Sequence, residues 1–161
     1  MKLSDQWELI NRARLDPPVN LERLADALGV KLKYAYLDDA ISGMIETIRG
    51  GYLVTVNALH PVSRQRFTIA HELGHYMFHR TEIGDGLDDD RLYRSTNVGK
   101  YHNTAIGPAE ETEANKFAAN LLMPQELVDI MWREDGTNIE KMAEKFGVSK
   151  AAMKIRLGIN S

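Results

Sequence analysis

A chain of 161 residues, 43% hydrophobic and 27% charged, has the length for one packed domain, or one domain with a small appendage, and the composition of an ordinary globular protein. It has no cysteine, which excludes disulfides, cysteine-ligated zinc, iron–sulfur clusters and thiol nucleophiles. A formal net charge of −3 argues against a dedicated nucleic-acid binder.

No stretch approaches the roughly 18 consecutive apolar residues of a membrane span. The opening MKLSDQWELINRARLD lacks the apolar core of a signal peptide, so the expected compartment is the cytoplasm. A first helix is expected over Ser4–Leu15, ended by Asp16-Pro17-Pro18. A second starts at Asn20, a good N-cap, carries Leu21, Leu24, Ala25 and Leu28 at helical spacing, and stops at Gly29. LKYAYL, GMIETI and YLVTVN then read as strands, with Arg49-Gly50-Gly51 as a hairpin turn. YLVTVN alternates cleanly and is the expected edge strand on which an extended peptide adds by backbone hydrogen bonds.

Ser63 caps a helix through RQRFTIAHELGHYMFH, with Ile69, Leu73 and Met77 as its buried stripe. Residues 81–108 have weak periodicity and read as a loop, and the run Asp88-Asp89-Asp90 lacks the ligand spacing of a calcium loop. A helix beginning at Pro108 or Ala109 runs through AEETEANKFAANLLM and stops before Pro124, and PQELVDIMWRED forms another. The tail reads as two short helices, with Thr137 and Glu140 as a capping box, Gly147 at the turn and Ser149 as the second cap. The whole is an α+β chain: a small, mainly antiparallel sheet of about three strands packed with several helices, and a C-terminal helical pair.

His71-Glu72-Leu73-Gly74-His75 carries the chemistry. Two histidines four apart on a helix point the same way, about 5.4 Å from each other, within reach of one tetrahedral ion. Glu72 lies about 100° around the helix, where its carboxylate can take a proton from water activated by the ion. A catalytic site needs a third protein ligand and an open position. Without cysteine, that ligand is a His, Asp or Glu, and the helix from Ala109 offers Glu110, Glu111 and Glu113, which otherwise simply complement the helix dipole.

Glu111, Ala114, Ala118 and Leu121 share a stripe, with Asn115 one turn after Glu111. Ala70 and Gly74 flank the histidine face with little bulk. Two small-residue stripes predict a close helix–helix approach that carries Glu111 to His71 and His75, with Asn115 orienting a ligand from outside. Glu113 shares the bulky Phe117 side and stands as the alternative. His79 continues the histidine stripe one turn too far for a compact site and reads as a supporting or structural residue. His60 is given no role. Tyr101 and His102 are candidates to donate to an oxyanion.

RQRFTIAHELGHYMFH and ETEANKFAANLLMP, with GGYLVTVN before and KFGVSKAAMKIRL after, resemble the ImmA/IrrE family of bacterial and phage metallopeptidases from about Asn20 to Leu157. The resemblance implies a zincin-like fold. The expected division is a zincin-like domain over 1–124 and a helix-turn-helix-like C-terminal extension over 125–161, read from the two short tail helices, packed on it. It makes His71, His75 and Glu111 the ligands of one zinc ion and Glu72 the catalytic base. It also implies a protein substrate such as a helix-turn-helix repressor, of the kind that silences mobile elements or stress genes. The competing expectations are a non-proteolytic, metal-dependent regulatory or partner-binding module, and a DNA-reading tail using Lys150, Lys154 and Arg156.

Overall fold

The computed structural model describes residues 1–84, 106–135 and 138–159, together with the backbone of a strand at 92–95. Asp88–Asp90, Tyr101, His102 and Thr137 lie outside the described residues. The chain opens with α1 (Leu3–Ala13) and α2 (Leu21–Leu28). Asn20 caps α2 by accepting the Arg23 N–H at 3.0 Å, and Gly29 ends it in the left-handed region.

Three strands follow: β1 (Val30–Ala35), β2 (Ile41–Ile48) and β3 (Gly51–Asn57), then β4 (Leu92–Ser95) after a long helix. Among the described residues they form one sheet in the order β1-β3-β2-β4. β2 and β3 are a hairpin turning at Arg49-Gly50, with Ile48 opposite Gly51, and β4 lies antiparallel to β2. The span 81–108 therefore includes a strand where the sequence reads as loop, because four residues are too few to show a period.

β3 is not an edge. β1 lies parallel to it from Val30–Tyr52 to Ala35–Asn57, so both of its ladders are taken and YLVTVN has no side for an added peptide. Its alternation is the same whether one neighbour or two are present, which is why the expectation failed. Burial tells the difference: Val54, Thr55, Val56 and Asn57 are buried in succession, so both faces are covered at that end.

α3 (Val62–Phe78) packs on β2 and β3 with one side and on α4 (Pro108–Leu122) with the other. It begins one residue before Ser63, and no side chain caps it. Gly43 in β2 makes room for it: a Cβ there would sit 2.6 Å from the Thr55 carbonyl oxygen and 2.7 Å from Thr68 Cγ2. α5 (Gln125–Asp135), α6 (Ile139–Phe146) and α7 (Lys150–Leu157) complete the chain. Asn138, rather than Thr137, caps α6 by accepting from the Lys141 N–H, and Ser149 caps α7 from the Ala152 N–H.

Met142, Phe146 and Met153 are fully buried and belong to the same apolar cluster as Ile45, Val54, Leu73 and Leu122. Each such side chain contributes about 1.5–3 kcal/mol by leaving water. Arg66 adds a polar tie: its Nε donates to the Gly147 carbonyl at 3.0 Å and its Nη1 to the Val19 carbonyl at 2.9 Å, joining α3 to the α6–α7 turn and to the segment before α2. Among the described residues, no helix is long and apolar enough to cross a membrane.

Candidate metal centre

The middle of α3 departs from ordinary amphipathicity. All ten residues from Thr68 to Met77 are buried, so His71, Glu72 and His75 are enclosed along with Ile69, Leu73 and Met77. Burying imidazole and carboxylate groups is costly unless each is engaged, so the sequence is not explained by packing alone.

The approach of α4 is set by small residues. A Cβ on Gly74 would lie 3.1 Å from Ala114 Cα and 3.2 Å from the Ala114 carbonyl oxygen, and Ala114 and Ala118 are fully buried. The two helices run antiparallel, with Glu111 at His75 and Asn115 at His71.

Glu111 Oε1 lies 2.6 Å from His75 Nε2 and 3.5 Å from His71 Nε2, and the two Nε2 atoms are 3.1 Å apart. One carboxylate oxygen of Glu72 stands beside this trio, within 4.8 Å of a ring nitrogen of each histidine. Glu113 does not reach it; its Oε1 is 3.2 Å from His79 Nε2. Glu110 lies in the acidic first turn of α4. The structure thus brings His71, Glu72, His75, Glu111 and Asn115 together.

The outer partners determine which ring nitrogen carries a proton, a hydrogen position assigned from the bonding network. Asn115 Oδ1 is an acceptor 2.7 Å from His71 Nδ1, so that nitrogen donates and Nε2 keeps its lone pair. The Glu113 carboxylate accepts from His79 Nε2, which leaves His79 Nδ1 to accept, at 2.9 Å, from His75 Nδ1. His75 Nε2 is then also a lone pair. Two imidazole lone pairs and a carboxylate oxygen converge on one point.

A tetrahedral ion 2.0–2.1 Å from each donor spaces its donors about 3.3 Å apart. The observed 3.1 and 3.5 Å separations sit on either side of that value, and the 2.6 Å pair is tighter. The donor set fits a divalent cation of the zinc type, with two nitrogens and one carboxylate.

Sequence reasoning missed the Glu113–His79–His75 chain. The signal was the third histidine at the same four-residue interval, but which carboxylate meets it depends on how the helices cross. His60 has a structural use: it is buried, and its Nε2 lies 3.0 Å from the Asp39 carbonyl oxygen and 3.3 Å from Asn57 Nδ2. Asn57 Nδ2 in turn donates to the carbonyls of Asp38 and Ile41, clamping the β1–β2 connection.

The family model of the IrrE N-terminal-like domain, peptidase M78, matches residues 25–158. The chain is similar to the radiation response metalloprotease IrrE of Deinococcus deserti, at 32% identity over 93 residues. That alignment covers 58% of this chain and 30% of the relative, so the chain spans less than a third of that protein's length. It also resembles in fold a solved Mycobacterium tuberculosis transcriptional regulator, with a TM-score of 0.56 and 16% identity over 96% of this chain and 46% of the other. With the matched domain covering all of the fold from the middle of α2 through α7, the chain belongs to the ImmA/IrrE family of metallopeptidases.

Proposed function

We propose that this protein is a zinc-dependent endopeptidase acting on a cytoplasmic regulatory protein, such as a helix-turn-helix repressor. One observation carries the reading: His71 Nε2, His75 Nε2 and Glu111 Oε1 meet within 3.5 Å of one another, with a Glu72 carboxylate oxygen alongside. In this reading His71, His75 and Glu111 hold one zinc ion. When bound, such an ion polarises a peptide carbonyl and brings the acidity of water near neutrality.

The rest of the chemistry belongs to the chain. Glu72 takes the proton of the attacking water on its carboxylate and passes it to the leaving amine, a transfer worth typically 10²–10⁴-fold. Its burial keeps bulk water from competing for that proton. Asn115 holds the His71 ring and the Glu113–His79 pair holds the His75 ring, so that both present Nε2 to the same point.

The experiment mixes the purified protein with a helix-turn-helix regulator, taken from beside its gene where one is encoded there, in parallel with Glu72→Gln, with metal content determined for both. Cleavage by the wild type alone, with zinc in both, is the expected result. An intact regulator alongside full zinc occupancy would instead support a metal-dependent binding module.

A further inference from the structure

At the end of the sheet away from β4, β1 has a neighbour on one side only; among the described residues its other side pairs with no strand. One bond gives the phase of its ladder. The Ala58 N–H donates to the Ala35 carbonyl at 2.8 Å on the β3 side, and along a strand alternate residues turn to the same neighbour. Ala35, Lys33 and Lys31 therefore turn their amides and carbonyls to β3, while Leu32 and Tyr34 turn theirs outward. β1 from Val30 to Tyr34 and the outer side of α2 line a groove of 580 Å³. Because β3 closes the inner side of β1, that groove runs along the open edge.

The charged residues on its lining are Glu22, Asp26 and Lys31. Glu22 and Asp26 stand one helical turn apart on α2, both exposed. The Tyr34 hydroxyl donates to Glu22 Oε1 at 2.9 Å, which puts the Tyr34 side chain on the α2 face of the strand. Leu32 shares that face and packs against the core. Lys31 and Lys33 alternate with them, so both lysines project from the opposite face, and both are exposed. The edge thus carries carboxylates on one face and ammonium groups on the other.

We propose that β1 takes up an extended segment of a partner protein as an added strand, in which basic side chains facing Glu22 and Asp26 alternate with acidic ones beside Lys31 and Lys33. The outward N–H and C=O groups of Leu32 and Tyr34 hold its backbone, as in other strand additions between a sheet edge and a helix. The period of two decides the composition: an added strand turns successive side chains to opposite faces, so one of its faces meets two carboxylates and the other two ammonium groups. A second copy of this chain does not match. An antiparallel β1–β1 pair centred on the strand sets lysine opposite lysine, the device by which edge strands resist self-pairing. None of His71, Glu72, His75 and Glu111 lines this groove, so the interaction is separate from the metal centre and independent of the peptidase reading.

The test selects from a displayed library of random short peptides on the full chain carrying Glu72→Gln, which keeps captured peptides whole. Asp26→Lys, Tyr34→Pro and Tyr34→Phe are made in the same background. Proline on an edge strand removes the outward N–H of residue 34 and spares the ladder to β3, and melting temperature checks that each variant folds. Peptides that alternate basic and acidic residues are the expected selection. Asp26→Lys, at an exposed position, should weaken a selected peptide about tenfold by reversing one charge contact. Tyr34→Pro should weaken it about tenfold by removing one backbone bond, and Tyr34→Phe should bind like the parent.

Selected peptides without that alternation, peptides indifferent to Asp26→Lys and Tyr34→Pro, or no selection at all would overturn the proposal. A dimer in sedimentation that Tyr34→Pro dissolves would also overturn it, because the second copy would then be the occupant. Where Tyr34→Pro does not fold, the response to Asp26→Lys decides.

Discussion

Along one face of the α3–α4 pair, His75, His71 and Glu111 meet in the interior; one and two turns back along the same face, Phe67, Ala119 and Met123 line an open groove. The usual distribution is inverted. Imidazole and carboxylate groups, among them His75 and Glu72 at 0% exposure, are enclosed, while Ile155 stands 80% exposed at the apolar end. A helix pair selected for stability alone would exchange the two ends, since burying polar groups costs free energy and exposing aliphatic ones forgoes it. In the proposed reading the close contact at Gly74 and Ala114 serves the metal site by fixing the spacing of the polar end, and the groove is what remains where the helices meet α7.

The largest effect should come from the polar end. Glu72→Gln is expected to lower hydrolysis about 10²–10⁴-fold with metal content unchanged; kcat/KM on the regulator and elemental analysis together check it. Loss of both activity and metal would move Glu72 from base to ligand.

Removing the outer supports should sharpen the comparison further. His79→Phe deprives His75 Nδ1 of its acceptor, and Asn115→Ala does the same for His71. Each is expected to weaken zinc binding about 10–100-fold in competition with a chelator. Long-range nitrogen NMR of the zinc-loaded protein should find the protons of His71 and His75 on Nδ1, facing Asn115 and His79.

The shared spacing of the two ends is tested by Gly74→Ala. Its new methyl meets Ala114 Cα and Phe117 Cδ1, each at 3.1 Å, and backbone can give little. A loss of about 1–3 kcal/mol in urea unfolding is expected, with weaker zinc binding. Full stability would mean that the helices are not held at this distance.

The smallest effect lies away from both ends. Arg14 clamps Glu126 with bonds of 2.7 and 3.1 Å, tying the residue after α1 to α5. That hydrogen bonding holds the Glu126 carboxyl below the usual glutamate range. A lowered folded-state pKa makes the contribution complete above the ordinary glutamate pKa and loses it as pH falls through the folded value. Arg14→Ala should flatten the acid limb of the stability curve slightly, without changing zinc affinity at neutral pH.

Much of the scaffold was legible because its signals are local. Asn20 and Ser149 announce their helices by side-chain chemistry, Arg49-Gly50 marks the hairpin, and Gly74, Ala114 and Ala118 foretell the α3–α4 approach by their lack of bulk. The features that escaped depend on contacts between distant segments. β3 lies inside the sheet because β1 joins it in parallel, which no alternation within YLVTVN can encode. Glu113 reaches His79 because of how two helices cross, although its helical neighbour Phe117 is buried. The groove needs α7 laid across that pair, and eight residues of weak amphipathic pattern do not say where they dock.

The most direct measurement is a zinc titration by calorimetry of wild type, Glu72→Gln, His75→Ala and Glu111→Ala, each first stripped of metal. One zinc per chain is expected for wild type and Glu72→Gln, and severely weakened binding for the other two. Undiminished zinc binding by Glu111→Ala, or none by wild type, would contradict it.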